Sequence, residues 1–258
     1  TIKIIHDASI SRDDDSVIIP ENKNITIDLN GYNIVSSNED TIINDGELKI
    51  IDSTSHVDSE GNIIEGIFIN STNSILKNNG KATIENGIYK LTLGGKTNEK
   101  CKLINNTGEL IINNGTFNTN GKYSIVIFNT IGTVTINNGT FENSETYSDC
   151  IYNETGTINI NGGKIKSADY AINNNGNGII NIKNGSIENK IYNNSQGIIN
   201  ISDGVINGQL ENHSNGTINI SGGQYKYNNN RQIVNNKSGD INITGGKFDV
   251  NGTFIYNN

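Results

Sequence analysis

Gly156-Thr157-Ile158-Asn159-Ile160-Asn161-Gly162-Gly163-Lys164-Ile165 is the stretch from which the fold can be read. Ile158 and Ile160 alternate with Thr157 and Asn159, which is strand period rather than helix period. Glycine on either side ends the strand and allows the backbone angles of a tight corner. The same pattern, G-x-(apolar)-x-I-x-x-G-x-(aromatic or aliphatic), occurs eight times, opening at Gly80, Gly108, Gly132, Gly156, Gly178, Gly197, Gly216 and Gly239. The second glycine always follows seven residues later, while the openings are 28, 24, 24, 22, 19, 19 and 23 residues apart. A fixed unit with variable links is the mark of a repeat architecture.

Two residues past the second glycine stands Tyr89, Phe117, Phe141, Ile165, Ile187, Ile206, Tyr225 or Phe248, which predicts a second strand. Ahead of each opening glycine comes (apolar)-x-Asn, which predicts a third. Its asparagines, Asn105, Asn129, Asn153, Asn173, Asn193, Asn212 and Asn235, are expected to form a hydrogen-bonded ladder ending at Asn257. Three short strands repeated in this way make an all-β, right-handed parallel β-helix of about ten coils. Residues 1–24 read as an N-terminal cap or irregular first coil, and 25–258 as the solenoid, truncated at its C-terminal end.

Stacked coils explain the composition, because one residue type suits each column: 49 of the 258 residues are Asn and 47 are Ile. The net charge of −8 speaks against a nucleic-acid partner, which needs clustered Lys and Arg. No apolar run approaches the roughly 18 residues of a membrane span. A chain that opens at Thr1 and stops in Ile255-Tyr256-Asn257-Asn258 reads as a piece of a longer one, with neighbouring domains as partners.

Val17-Ile18-Ile19-Pro20, Ile25-Thr26-Ile27-Asp28-Leu29-Asn30-Gly31-Tyr32-Asn33-Ile34 and Ile43-Asn44-Asp45-Gly46-Glu47-Leu48-Lys49-Ile50 resemble the opening coils of pectate-lyase-like right-handed β-helix domains. Such domains occur in repetitive surface proteins of low-GC Gram-positive bacteria, so the resemblance implies a secreted or surface-attached bacterial protein. It implies adhesins and stalks as well as polysaccharide lyases and glycosidases, and fold does not choose among them.

The chemistry-bearing residues favour a non-catalytic reading. His6, His56 and His213 are far apart, and Arg12 and Arg231 stand at opposite ends, without the stacked Asp ligands and basic partner that the lyase resemblance implies. Carboxylates gather at Asp13-Asp14-Asp15, at Asp58 and Glu60, and at Glu142, Glu145 and Asp149; a close pair could serve a glycosidase, the alternative reading. Cys101 and Cys150 occupy similar coil positions two coils apart, too far for a disulfide. No metal centre or cofactor is expected, calcium being the one admissible ion.

The residue before each ladder Asn should face outward: Ile104, Phe128, Tyr152, Ile172, Tyr192, Glu211, Val234 and Tyr256. Such an apolar and aromatic stripe marks an interaction site unless loops cover it. Variable segments 118–124, 142–149, 166–170, 188–190 and 226–232 precede the same strand and carry Tyr123, Glu145, Tyr147, Asp149 and Tyr170. With Phe128, Tyr152 and Tyr192 these form the expected face for a glycan or a host surface or matrix protein; a pure spacer would bind nothing. A second outward column, Thr83, Ile111, Thr135, Asn159, Asn181, Asn200, Asn219 and Asn242, is expected on the first strand of each coil.

Overall fold

A computed structural model describes the chain except residues 12–13, 54–58, 61–63, 96–98, 228–230, 236, 251 and 258. Among the described residues every regular element is a strand. The first strands of successive coils, from Ile2–Lys3 through Asn24–Asp28 and Thr157–Ile160 to Asp240–Ile243, stack in parallel as an 11-stranded sheet. Second and third strands form the other two faces. They are joined into one 20-stranded sheet because Lys164–Asn174 and Ser186–Asn193 run round the corner between them. The molecule is a right-handed parallel β-helix of about ten turns. Ile2–Lys3, Ala8–Ile10 and Val17–Ile19 each pair in parallel with the strand one coil on, so the first coil already follows the scheme.

Alternation decides what enters the core. Ile50, Ile84, Ile112, Ile136, Ile160, Ile182, Ile201 and Ile220 stand in one register column and are at most 1% exposed. On the second face Tyr89, Phe117 and Phe141 stack with centroids 4.8 Å apart and planes within 8°, and Tyr225 lies 4.4 Å from Phe248. The spacing is that of neighbouring strands, so each ring lies flat on the next. The hydroxyls of Tyr89 and Tyr225 escape an apolar burial by donating to the Asn86 and Gly222 carbonyls, each at 2.8 Å.

The third face carries the ladder, with a corrected membership: Asn44, Asn78, Asn106, Asn129, Asn153, Asn174, Asn193, Asn212, Asn235 and Asn257. From Asn44 to Asn235 each Nδ2 donates to the Oδ1 one coil on, at 2.7–3.3 Å. From Asn78 to Asn235 the same Nδ2 also donates to the carbonyl of its own coil's opening glycine, as from Asn153 to Gly156 at 3.0 Å. Asn105 and Asn173 are not members. In Leu103-Ile104-Asn105-Asn106 and Ala171-Ile172-Asn173-Asn174 two apolar residues precede two asparagines, so both registers satisfy the local pattern. Hydrogen bonding to the coils above and below selects the second, and a one-residue shift exchanges the faces of the whole strand. The ladder starts at Asn44, whose buried Oδ1 has no partner because Ile19 fills the preceding place.

The two glycines of the repeat answer different demands. The second one has positive φ in every unit, from +90° at Gly163 to +130° at Gly115, a region that L side chains avoid. The opening one is required by the ladder: a Cβ on Gly156 would stand 2.2 Å from Asn129 Nδ2 and 2.3 Å from the Gly132 oxygen. Gly156→Ala should therefore destabilise the rod by about 2 kcal/mol or more, despite the lower backbone entropy of alanine in the unfolded chain. A thermal midpoint equal to wild type by circular dichroism would refute this.

At the N-terminal end Asp28 is a buried carboxylate that accepts from Ser53 N and Oγ at 2.9 and 2.7 Å and from Asn30 N at 3.0 Å. Burial pushes its pKa up, but these donors outweigh burial and leave it below the usual value. Its contribution to stability is then full above the unfolded value, about 3.9, and is lost as pH falls through the lower, folded value. Asp28→Asn should narrow its stability gap to wild type as the medium is acidified through that window; urea midpoints at several pH values read this directly.

Candidate functional site

The outward column of the third strands is Asn105, Phe128, Tyr152, Asn173, Tyr192, Glu211, Val234 and Tyr256, in register coil by coil. Ile104 and Ile172, expected here, point inward at 1% and 0% exposure, for the register reason given above. The aromatic stripe is thus interrupted. Phe128 stacks on Tyr152 at 5.3 Å, then Asn173 intervenes, and Tyr192 follows with Tyr170 at 5.2 Å and His213 at 5.5 Å. Stacking along the rod turns the Phe128 and Tyr152 ring faces toward each other, so these two rings present edges to the outside. Lys102 Nζ sits 4.1 Å from the Phe128 centroid and Lys190 Nζ 5.1 Å from that of Tyr170. Lys190 also pairs with Glu211 at 3.3 Å.

Beside this column lies a second pair. Tyr123 and Tyr147 precede the third strands of consecutive coils and stack at 5.4 Å. Both are held at left-handed φ, +55° and +61°, and Tyr147 is 59% exposed. Of the variable segments, 118–124 and 142–149 carry these tyrosines in short loops, 120–123 and 144–148, between strands, and the Glu145 N–H is turned onto Asn143 Oδ1 at 3.2 Å. Segments 166–170 and 188–190 are not loops but parts of the two long strands, with register shifts at Tyr170. Their coils have fewer residues, and the chain must turn the corner without leaving the ladder.

Asp149 opens the strand Asp149–Asn153, and its side chain has no exposed surface. Lys100 Nζ bonds its Oδ2, and Asn173 Nδ2 donates to its Oδ1 at 3.0 Å. Burial pushes this carboxyl up, against the opposing pull of Lys100 and Asn173. Lys100 and Lys102 also line an open groove of about 740 Å³ with Glu39, Thr72, Asn73 and Leu93. Nothing in the sequence singles out either lysine, since their neighbours belong to other coils. Cys101 and Cys150 are free. They do not share a column: Cys101 pairs with Ser124, whereas Cys150 follows Asp149, the partner of Ile125. Burial pushes the Cys150 thiol well up. Arg12, Asp13, His56 and Asp58 lie outside the described residues, as does part of segment 226–232. Calcium needs several oxygen ligands, and among the described residues no three His, Cys, Asp or Glu are gathered for a metal ion.

No protein family model, curated protein or solved structure matches the chain. Its relation to other β-helices is therefore carried by its own residues and coil geometry.

Proposed function

We propose that the third-strand face is the ligand-binding face of a non-catalytic surface module, an adhesin or stalk segment from the outside of a bacterial cell, whose ligand is a glycan or a host surface or matrix protein. One observation carries this reading: Tyr123 and Tyr147 occupy left-handed backbone in consecutive coils while their rings stack at the surface. That conformation disfavours bulky residues and suits glycine, and strained positions of this kind cluster at functional sites. The edge-on rings of Phe128 and Tyr152 and the groove at Lys100 and Lys102 extend the surface to either side. The pectate-lyase-like resemblance of the opening coils supports the same setting.

Replacing both strained tyrosines by glycine separates binding from folding. Tyr123→Gly with Tyr147→Gly should leave stability equal or raise it by about 1 kcal/mol, while retention on an extracellular polysaccharide or matrix-protein array falls at least roughly tenfold. A wild-type chain that binds nothing on the array, with or without calcium, would sink the proposal. So would a double variant that binds as well as wild type.

A further inference from the structure

Asn86, Asn114, Asn138, Asn184 and Asp203 each stand directly before the positive-φ glycine at the corner between the first and second strands. Their side chains are not placed alike. Asn86 is turned to the preceding coil, where it accepts from Asp52 N at 2.6 Å and donates to the Asp52 carbonyl at 3.0 Å. Asn184 is exposed and folded onto its own glycine, with Gly185 N donating to Asn184 Oδ1 at 2.7 Å. Bonds between coils pass this nitrogen on either side, from Lys183 N to the Ile160 oxygen and from Ser186 N to the Gly163 oxygen. Cγ is one C=O bond from the accepting oxygen, so Gly185 N and Asn184 Cγ lie within about 4 Å of each other. Asn189 makes the same contact with Lys190 N at 2.8 Å, but there a Cβ crowds the nitrogen, whereas glycine has none.

We infer that Asn184-Gly185 is a self-modification site, at which the folded rod converts asparagine to aspartate and isoaspartate. Hydroxide removes the Gly185 N–H proton, and the nitrogen lone pair attacks Asn184 Cγ. The N–Cγ bond forms and the Cγ–Nδ2 bond breaks with its electron pair on nitrogen. Nδ2 takes a proton from water, which returns the hydroxide, and leaves as ammonia. Water then opens the five-membered succinimide. Addition at Cγ restores the main chain and leaves an aspartate; addition at the main-chain carbonyl routes the chain through Cγ as an isoaspartate. The sum is one water in and one ammonia out, with no oxidation, and the held geometry supplies the proximity that ring closure needs. Aspartate suits the corner, because one coil on Gly204 N donates to Asp203 Oδ1 at 2.8 Å, with φ +107° at Gly204 against +111° at Gly185. Isoaspartate adds a main-chain carbon just ahead of Ser186–Asn193, the strand that carries Tyr192 in the outward column and Asn193 in the ladder. Which product forms decides whether that part of the third-strand face keeps its register.

Peptide mapping of the folded chain during incubation in mildly alkaline buffer tests this. Tryptic cleavage after Lys183 and Lys190 isolates residues 184–190. This peptide should gain the mass difference between water and ammonia and separate into aspartyl and isoaspartyl forms, with fragment ions placing the change at Asn184. Conversion there should outrun conversion at Asn86 by at least roughly tenfold. The bias should vanish in urea, where neither carboxamide is held. Asn184→Gln, which must close a larger ring, should stay unmodified at that position. An Asn184 that remains intact in the folded chain while the urea-unfolded chain converts overturns the inference. Conversion that appears first or equally fast at Asn86 or Asn189 also overturns it, because the corner geometry then does not select the site.

Discussion

Asn153→Asp should be among the most damaging single-atom-scale changes available in this chain. Asn153 Nδ2 donates to the Gly156 carbonyl at 3.0 Å and to Asn174 Oδ1 at 2.9 Å, and its Oδ1 accepts from Asn129 at 2.8 Å, all in a position with no exposed surface. A carboxylate keeps the accepted bond and loses both donated ones. It also faces two oxygen atoms in a place without water, and a protonated acid can restore only one donor. At about 1–3 kcal/mol for each orphaned buried group, the loss is roughly 4 kcal/mol. The matching change on the outer ladder sets the scale. Asn219 donates to Asn200 at 2.8 Å and accepts from Asn242 at 2.9 Å, but it is half-buried beside solvent. Asn219→Asp should cost less than about 1 kcal/mol. Urea unfolding of both variants checks this, and equal midpoints would show that the inner ladder contributes no more than an ordinary surface contact.

Phe117→Ala is expected to have a similar effect through a different cause. Phe117 is fully buried and stacked between Tyr89 and Phe141. Nearby coils cannot collapse into the vacated volume, because their separation is set by backbone hydrogen bonds. The cost should lie near the upper part of the usual Phe→Ala range, about 3–5 kcal/mol. In a solenoid, each coil is supported only by its neighbours, so the loss falls on one junction. Unfolding should then become broader or split, with the coils before Phe117 melting apart from those after it. Phe128→Ala, on the outward column, should leave a single transition with a much smaller shift. Calorimetry distinguishes the cases, and a sharp, undivided transition for Phe117→Ala would contradict the junction argument.

The fold was legible because its cause is local and repeated. Ile158-Asn159-Ile160 between Gly156 and Gly163 determines strand period, faces and corners, and seven further copies carry the same instruction. The inward isoleucines, the inner aromatic column and the outward Thr and Asn column of the first strands all followed from that alternation. Tertiary structure decided what local alternation leaves degenerate. Leu103-Ile104-Asn105-Asn106 fits the ladder in two registers, and only the bonds from Asn78 and to Asn129 choose between them. The candidate site depends on the same stacking. Lys100 and Asp149 are 49 residues apart, and Asp149 and Asn173 are 24 apart. With openings spaced anywhere from 19 to 28 residues, no motif links them. Sequence determined which residues alternate along each strand. Packing of coil on coil determined which of them meet, because hydrogen bonds between coils set the register that the chain alone leaves open.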